Sequence, residues 1–490
     1  MCSFTILSKI FDNKNVNNKV KNRGPNFTNK VEYNNFIFYH NLLHITGKMT
    51  IQPLIKDNVI ILFNGEIYNY KELGIFDNEL ELLHNLYINL DLNFINKLDG
   101  EFVIIIFDFN KNKIIFISDL FGTKPLWYTI NNEGIMISSY KIEILNNTKD
   151  SIITKLEENL ILSIDIKNFK ILETVNHTKM NLTQFKDTYE DWNKAFEEAV
   201  LKRIPCDEID YMIPISSGHD SGAIACVLNK YKKKYILYSI DGGEDKNIVS
   251  ERFNLNKHYN ELIYFDNKLF EDNFSFLIRN GDINFYQSID SNNNEYWYLI
   301  SRDGSAIGMN HLLRLCKNKF KNFKVILTGD GADEIYFHNS LAKGKKYGCG
   351  KQPNYFPTNL EEIYPWYNLF KGTQRRFLNK SELVGGVNGI ECRYPFLDKK
   401  LFQEFLYLKP ELKNKFYKGP IEIYLKINNY PFKKDCLKLG MDPLRNITDN
   451  KIQYEIMNNI LKKYDSNFIS DTQEEKPRKK NILYREKWMI

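Results

Sequence analysis

The sequence predicts an α+β region followed by an α/β region built on a parallel sheet, and three observations carry that prediction. Up to about Val175, short β-type runs are broken by Asn, Gly and Asp. After about Gln184 the hydrophobic period changes, and strand-like runs alternate with helical ones. The chain has 490 residues, 43% of them apolar and 14% aromatic, which is too long for one core and ample for two or three.

In the first region the β-type runs fall at residues 36–39, 59–63, 102–107, 114–117 and 160–164, with one helical stretch at 79–90. Residues 9–22 are rich in Lys and Asn and read as a solvated loop. A boundary is expected at 176–186. Beyond it, a helix at 192–203 precedes three strands at 211–215, 235–240 and 324–328, with helices at 223–231, 248–254 and 309–317. A polar, charged tail starts near residue 463 and is densest at 476–480. The expected division is therefore 1–180, 186–462 and the tail 463–490.

Net charge is +6, from 67 basic against 61 acidic residues spread along the chain, so nucleic acid is not expected as the main ligand. The longest apolar run, 102–107, is far short of a membrane span, and no signal peptide opens the chain. Seven cysteines, widely spaced and without a C-x-x-C pair, read as reduced thiols in a cytoplasmic protein.

Cys2 directly follows the initiator Met, and a small residue there lets the Met be removed, leaving a cysteine with a free α-amine. An α-amine titrates near pH ~7.7 and a thiol near ~8.5, so the amine can accept the thiol proton. Downstream, Asn64-Gly65-Glu66 follows an apolar strand, and Asp77 lies shortly after it. An Asn amide and a Gly N–H can donate to a tetrahedral oxyanion, although Asn-Gly alone also reads as a hairpin turn. Asp77 suits the ammonium of a free amino acid.

With Arg23-Gly24-Pro25-Asn26, Leu98-Asp99-Gly100-Glu101-Phe102 and Asp119-Leu120-Phe121-Gly122-Thr123-Lys124-Pro125-Leu126, these segments resemble the class II glutamine amidotransferase domain of the asparagine synthetase family. The resemblance implies an N-terminal-nucleophile fold of two stacked antiparallel sheets. It also implies Cys2 as nucleophile, Asn64 and Gly65 as oxyanion donors, and Asn64, Gly65, Glu66 and Asp77 around glutamine. Where the family has an Arg for the glutamine carboxylate, the segment His40-Asn41-Leu42-Leu43-His44 has Leu42, with His44 and Lys48 as local alternatives.

In the second region a strand ending at Ile215 runs into Ser216-Ser217-Gly218-His219-Asp220-Ser221 at the start of a helix, which is a cradle for an anion. It lacks the P-loop spacing. Thr328-Gly329-Asp330-Gly331-Ala332-Asp333-Glu334 ends another apolar strand, so Asp220 and Asp333 could share one Mg²⁺ at the carboxyl edge of the sheet. The first segment resembles the pyrophosphate loop of enzymes that split ATP into AMP and pyrophosphate, with Ser217 and His219 as departures. Gly389-Ile390-Glu391-Cys392-Arg393-Tyr394-Pro395-Phe396-Leu397-Asp398 matches a specific family segment, in which Glu391 and Arg393 are expected to pair near the active site. Phe432-Lys433-Lys434 resembles the segment carrying the family's catalytic lysine, which is Lys434 or, in another register, Lys433.

The resemblance runs through nearly the whole chain. It implies an adenine nucleotide alpha hydrolase-like ATP-pyrophosphatase domain and a glutamine-dependent asparagine synthetase using ATP and Mg²⁺. Ile215, Ser216, Ser217, Gly218, Asp220, Ser221, Ile240, Thr328 and Gly329 would bind ATP and pyrophosphate. Asp330 and Arg302 would meet the acid substrate, and Asp220 and Asp333 the metal. Partners are then small molecules, with neither nucleic acid nor membrane, and a homodimer is an admissible assembly. Near the expected aspartate segment, Glu295 and Asn292 stand where the family has Thr and Arg, and Tyr336-Phe337-His338-Asn339 replaces F-G-G-Y. An amidotransferase for another carboxylate (a sugar acid, peptide or nucleobase precursor) and a non-catalytic nucleotide-binding protein are the alternative readings.

Overall fold

The computed structural model describes residues 2–11, 16–45, 47–131, 134–148, 152–281, 286–289, 295–298, 303–338, 353–433, 443 and 459. Arg302, Lys434, Asn292, Asn339 and the tail from 463 lie outside the described residues. No helix among the described residues is long and apolar enough to cross a membrane.

The first part holds twelve strands: β1 (Ser3–Ser8), β2 (Phe27–Tyr33), β3 (Phe36–Leu42), β4 (Leu54–Lys56), β5 (Val59–Ile67), β6 (Gly100–Asp108), β7 (Lys113–Ser118), β8 (Trp127–Ile130), β9 (Ile135–Ser138), β10 (Thr154–Lys155), β11 (Leu160–Asp165) and β12 (Ile171–Asn176). They form two six-stranded antiparallel sheets, in the orders β10-β8-β9-β1-β3-β2 and β12-β11-β7-β6-β5-β4. Helix α1 (Glu79–Leu90) and the short α2 (Lys141–Leu145) complete this part.

Successive side chains of a strand point to opposite faces, so these strands read as unbroken apolar runs because each face is covered. Phe4, Ile6, Phe36 and Phe38 of one sheet meet Ile60, Leu62, Val103, Ile105 and Phe107 of the other in a core between the two sheets. The intervening residues Val59, Ile61, Phe63, Ile104 and Ile106 face outward and are covered by Leu80, Leu83 and Tyr87 of α1. Both faces are therefore buried.

After β12 the chain enters α3 (Glu190–Leu201), β13 (Asp210–Pro214), α4 (His219–Lys230), β14 (Ile236–Ile240), α5 (Lys246–Leu255), β15 (Tyr259–Ile263) and α6 (Asn267–Asn280). A hairpin of β16 (Tyr286–Ile289) and β17 (Glu295–Tyr298) leads to α7 (Gly304–Lys319), β18 (Phe323–Leu327) and α8 (Ala332–Tyr336). The last elements are α9 (Thr373–Val387), β19 (Glu391–Arg393), α10 (Lys399–Tyr407), α11 (Pro410–Lys413) and α12 (Gly419–Ile427). Five strands pair in parallel in the order β15-β14-β13-β18-β19. The order reverses between β13 and β18, which opens a crevice at their carboxyl ends.

Two expectations need correction. Residues 16–23 do not form a solvated loop: Val16, Asn17, Val20 and Arg23 are buried. Glu143 accepts from the Asn17 and Lys19 backbone N–H groups at 2.9 Å each, and the Asn17 and Asn41 side-chain amides hydrogen-bond to each other. Helix α4 also starts four residues earlier than the apolar pattern suggests, because Gly218 occupies the N-cap and Asp220 enters the first helical turn.

Candidate active sites

Strand β1 lies inside the first sheet, between β9 and β3, and brings Cys2 to the wall of a cavity of about 200 Å³. Gly65, Glu66 and Asp77 line the same cavity, so four of the predicted glutamine-site residues come together. Gly65 has φ +142° and a Cβ there would sit 1.9 Å from the Glu101 carbonyl oxygen, so only glycine fits. Its neighbour Asn64 is fully buried, and neither polar atom of its amide has a hydrogen-bond partner. An orphaned buried amide is costly unless something else bonds it, which suits a donor kept for a reaction intermediate. Asn64 is not among the residues lining the cavity itself.

Leu42, at 6% exposure, is part of the cavity wall, so the position of the expected Arg does face the site and is apolar. The basic side chains of the lining are Lys48, which is exposed, and His44, whose Nε2 lies 2.9 Å from the Gly47 carbonyl oxygen.

Acidic groups dominate the rest. Glu79 and Glu391 join Glu66 and Asp77 in the lining, and neither was singled out in the sequence for this site. Burial, with the Glu66 charge, pushes the Glu79 carboxyl up to about 8. Its Oε1 accepts from the Ile67 backbone N–H at 3.1 Å. Burial likewise raises Glu66, against the pull of Arg393 at 2.8 Å. Burial alone would raise Glu391, yet the amino terminus, Arg393 and Lys124 together hold it well below the usual carboxylate range. The Cys2 thiol is raised by burial, opposed by the amino terminus and a backbone bond to Leu43, and reinforced by Glu391 and Glu79. At neutral pH this thiol is protonated, so attack needs a base to take its proton.

Arg393 donates to Glu391 at 2.7 Å, as the motif predicts, but the pair faces the Cys2 cavity. Other motif residues serve the contact between the two parts. Arg23 bonds Glu382 at 2.8 Å, and Lys124 bonds the same carboxylate at 3.0 Å. Arg203 joins Glu101 at 2.7 Å and Asp398 at 2.9 Å, and all of these side chains are buried. Much of what reads as amidotransferase signature is thus interface charge pairing.

The second site occupies the β13–β18 crevice. The loop at 216–218 is closed on itself: Ser216 N–H bonds Ser221 Oγ at 3.1 Å, Gly218 N–H bonds Ser216 Oγ at 3.2 Å, and Ser217 N–H bonds Glu244 at 2.6 Å. Beneath it the buried Arg252 holds the carbonyls of Ser216, Gly218 and Pro431. Gly222 makes room for that guanidinium, since a Cβ there would lie 2.2 Å from it. Neither Arg252 nor Glu244 carries a sequence signal without a partner to point at.

Gly329 permits close approach of the second loop, because a Cβ there would come within 2.8 Å of the Asp220 Cβ. Asp220 and Asp333 converge on the ammonium of Lys418, which contacts Asp220 and lies 2.7 Å from Asp333. Here a lysine ammonium neutralises the two carboxylates, and among the described residues no group of three or more His, Cys, Asp or Glu side chains is placed to hold a metal ion by itself. Asp330 points elsewhere: its Oδ2 accepts from Thr328 Oγ1 at 3.1 Å and Ser381 Oγ at 2.5 Å. Glu334 is not available at the surface. Burial and the Asp330 charge push it up to about 7, and it accepts from the Gly331 N–H at 3.2 Å. Ile215 and Ile240 are buried at neighbouring strand ends, and Ile240 touches the first turns of α7 at Gly308.

Residues 1–182 match a family model described as a glutamine amidotransferase domain. A Methanocaldococcus jannaschii protein with the provisional name asparagine synthetase [glutamine-hydrolyzing] 1 is 24% identical over 88% of this chain and 78% of its own length. An asparagine synthetase [glutamine-hydrolyzing] of Sandersonia aurantiaca is 24% identical over 81% of this chain and 74% of its own. Asparagine synthetase [glutamine-hydrolyzing] 1 of Arabidopsis thaliana is also 24% identical, over 81% and 67% respectively. Residues 1–182 are therefore similar to glutamine amidotransferase domains, and most of the chain is similar, at 24% identity, to proteins named glutamine-hydrolysing asparagine synthetases.

Proposed function

We propose that this protein is an ATP-dependent ligase that makes asparagine from aspartate with ammonia taken from glutamine. One observation carries the reading: a single chain holds a partly buried cysteine at position 2 in a cavity with Gly65 and Asp77, and a crevice where Asp220 and Asp333, in the helix turns that follow two adjoining strands, meet at Lys418. Residues 1–180 would form the glutaminase and 186–462 the synthetase.

At the first site the Cys2 sulfur attacks the glutamine amide carbon as its proton passes to the α-amine freed by removal of Met1. Asn64 and Gly65 donate to the oxyanion, Asp77 holds the substrate ammonium, ammonia leaves, and water cleaves the thioester. At the second site an oxygen of the aspartate side-chain carboxylate attacks the α-phosphorus of ATP and expels pyrophosphate. Ammonia then displaces AMP from the acyl-adenylate. Ser216, Ser217, Gly218 and Ser221 line the phosphate loop, which must exchange Ser217's bond to Glu244 for one to phosphate. Asp220 and Asp333 would hold Mg²⁺, which when bound neutralises phosphate charge. Activation is needed because AMP is a far better leaving group than a carboxylate oxygen. Lys434 and Arg302 would add charge to this site.

Exchange of labelled pyrophosphate into ATP tests the second half. Aspartate should drive exchange. Exchange with another acid and none with aspartate would replace the substrate, and none with any acid would remove the ligase reading.

A further inference from the structure

The carbonyl side of the 216–218 loop is held by groups of the scaffold. Arg252, buried on α5, donates to the carbonyls of Ser216 and Gly218, and the Lys433 backbone N–H donates to the Ser217 carbonyl at 3.2 Å. The donor side differs. The N–H groups of Ser216 and Gly218 are taken by serine hydroxyls of the same strand-to-helix turn, those of Ser221 and Ser216. Ser217 gives its donors to an acid from another element: its backbone N–H at 2.6 Å and its hydroxyl at 2.5 Å meet the same oxygen, Oε2 of Glu244.

Two donors converging on one anionic oxygen is the way such a loop grips a phosphate oxygen. Glu244 is 8% exposed, and a carboxylate out of water needs donors of this kind. The Asp245 N–H completes the contact by donating to Ser217 Oγ at 3.2 Å. The segment that carries Glu244 is pinned at both ends. The Asp241 N–H bonds the Ile263 carbonyl at 2.9 Å, and the Asp245 side chain accepts from the Asn247 and Ile248 N–H groups to cap α5. Only Gly242, Gly243 and Glu244 lie between, and Gly243 has φ +91°. Two glycines before the acid let it swing out without disturbing β14 or α5. Arg252 bonds carbonyls rather than the N–H that Glu244 holds, so the loop keeps its shape when the acid leaves.

We propose that Glu244 is an internal stand-in for phosphate: it closes the 216–218 loop in the nucleotide-free protein, a phosphate of ATP must displace it, and its return helps to expel pyrophosphate. This rests on the ATP reading of that loop. The affinity for phosphate is thereby held below what the loop's donors alone would give, by the fraction of molecules in which Glu244 is withdrawn.

Calorimetric titration of the full-length protein with ATP, inorganic pyrophosphate and adenosine tests this. Glu244→Ala should tighten ATP and pyrophosphate about 10- to 100-fold, the weight of one charge-assisted contact, and leave adenosine, which brings no phosphate, within about twofold. Glu244→Gln, close in shape and still able to accept from Ser217, should gain less. The gain should persist at high salt, because the contact is buried. Unchanged or weaker pyrophosphate binding by a folded Glu244→Ala protein would mean that Glu244 shapes the loop, and would overturn the proposal. So would an equal gain for adenosine, or a gain that vanishes at high salt, which a charge acting across solvent would produce. If Glu244→Ala does not fold, Glu244→Gln decides by the same measures. Failure of the wild type and both variants to bind either ATP or pyrophosphate would instead overturn the ATP reading, whereas a wild type that binds both and variants that gain nothing count against Glu244 alone.

Discussion

Replacing Leu42 by arginine should convert a weak glutamine site into a strong one. Leu42 is on the cavity wall with Cys2, and the basic side chains of that wall are the exposed Lys48 and His44. A charge-assisted pair to the glutamine carboxylate contributes about 1.5–3 kcal/mol, or one to two decades in affinity. Loss of the leucine works the other way on folding. Leu42 pairs with Phe27 across β2 and β3, and exposing such a side chain costs about 1.5–3 kcal/mol. The variant should therefore unfold at a lower denaturant concentration while its KM for glutamine falls about 10- to 100-fold, with kcat little changed. The assay is glutamate release against glutamine concentration, with the urea midpoint measured beside it. A folded Leu42→Arg enzyme whose KM stays within twofold of wild type would refute the reasoning, most clearly if Lys48→Met then raised it, because the carboxylate would be held from the rim.

Glu79, raised to about 8 in the fold against about 4.3 unfolded, keeps a proton that the unfolded chain releases, so its contribution to stability falls as pH rises through that window. Above pH 8 its charge also disfavours the Cys2 thiolate. Glu79→Gln should therefore retain glutaminase activity on the alkaline side where wild type declines, and identical profiles would count against it. Glu382→Ala strips a carboxylate from the buried Arg23 and Lys124 and should cost about 3–5 kcal/mol in urea unfolding. A loss under about 1 kcal/mol would mean that this contact between the two parts is not held by charge.

Local features were legible in the sequence. The apolar run 59–63 marked a strand, the strand-loop-helix order after Tyr211 marked a parallel sheet with a crevice at its carboxyl edge, and Cys2 and Gly65, both picked out by type and spacing, line one cavity. What stayed hidden depends on contacts between distant residues. Glu391 reaches the Cys2 cavity from the far part of the chain, and Arg252 clamps the 216–218 loop from α5. Lys418 joins Asp220 to Asp333 from the start of α12. Likewise, Arg23 and Lys124 sit in recognisable motifs, yet only the fold reveals that they meet Glu382.

Transfer of nitrogen between the two sites is the central claim, and amide-labelled [¹⁵N]glutamine tests it directly. With aspartate, ATP and unlabelled ammonium present, mass spectrometry should find ¹⁵N in the side-chain amide of asparagine, with one AMP formed per asparagine. Cys2→Ala should still make asparagine, carrying only unlabelled nitrogen. Equal loss of labelled and unlabelled product in Cys2→Ala, or ADP in place of AMP, would contradict the account.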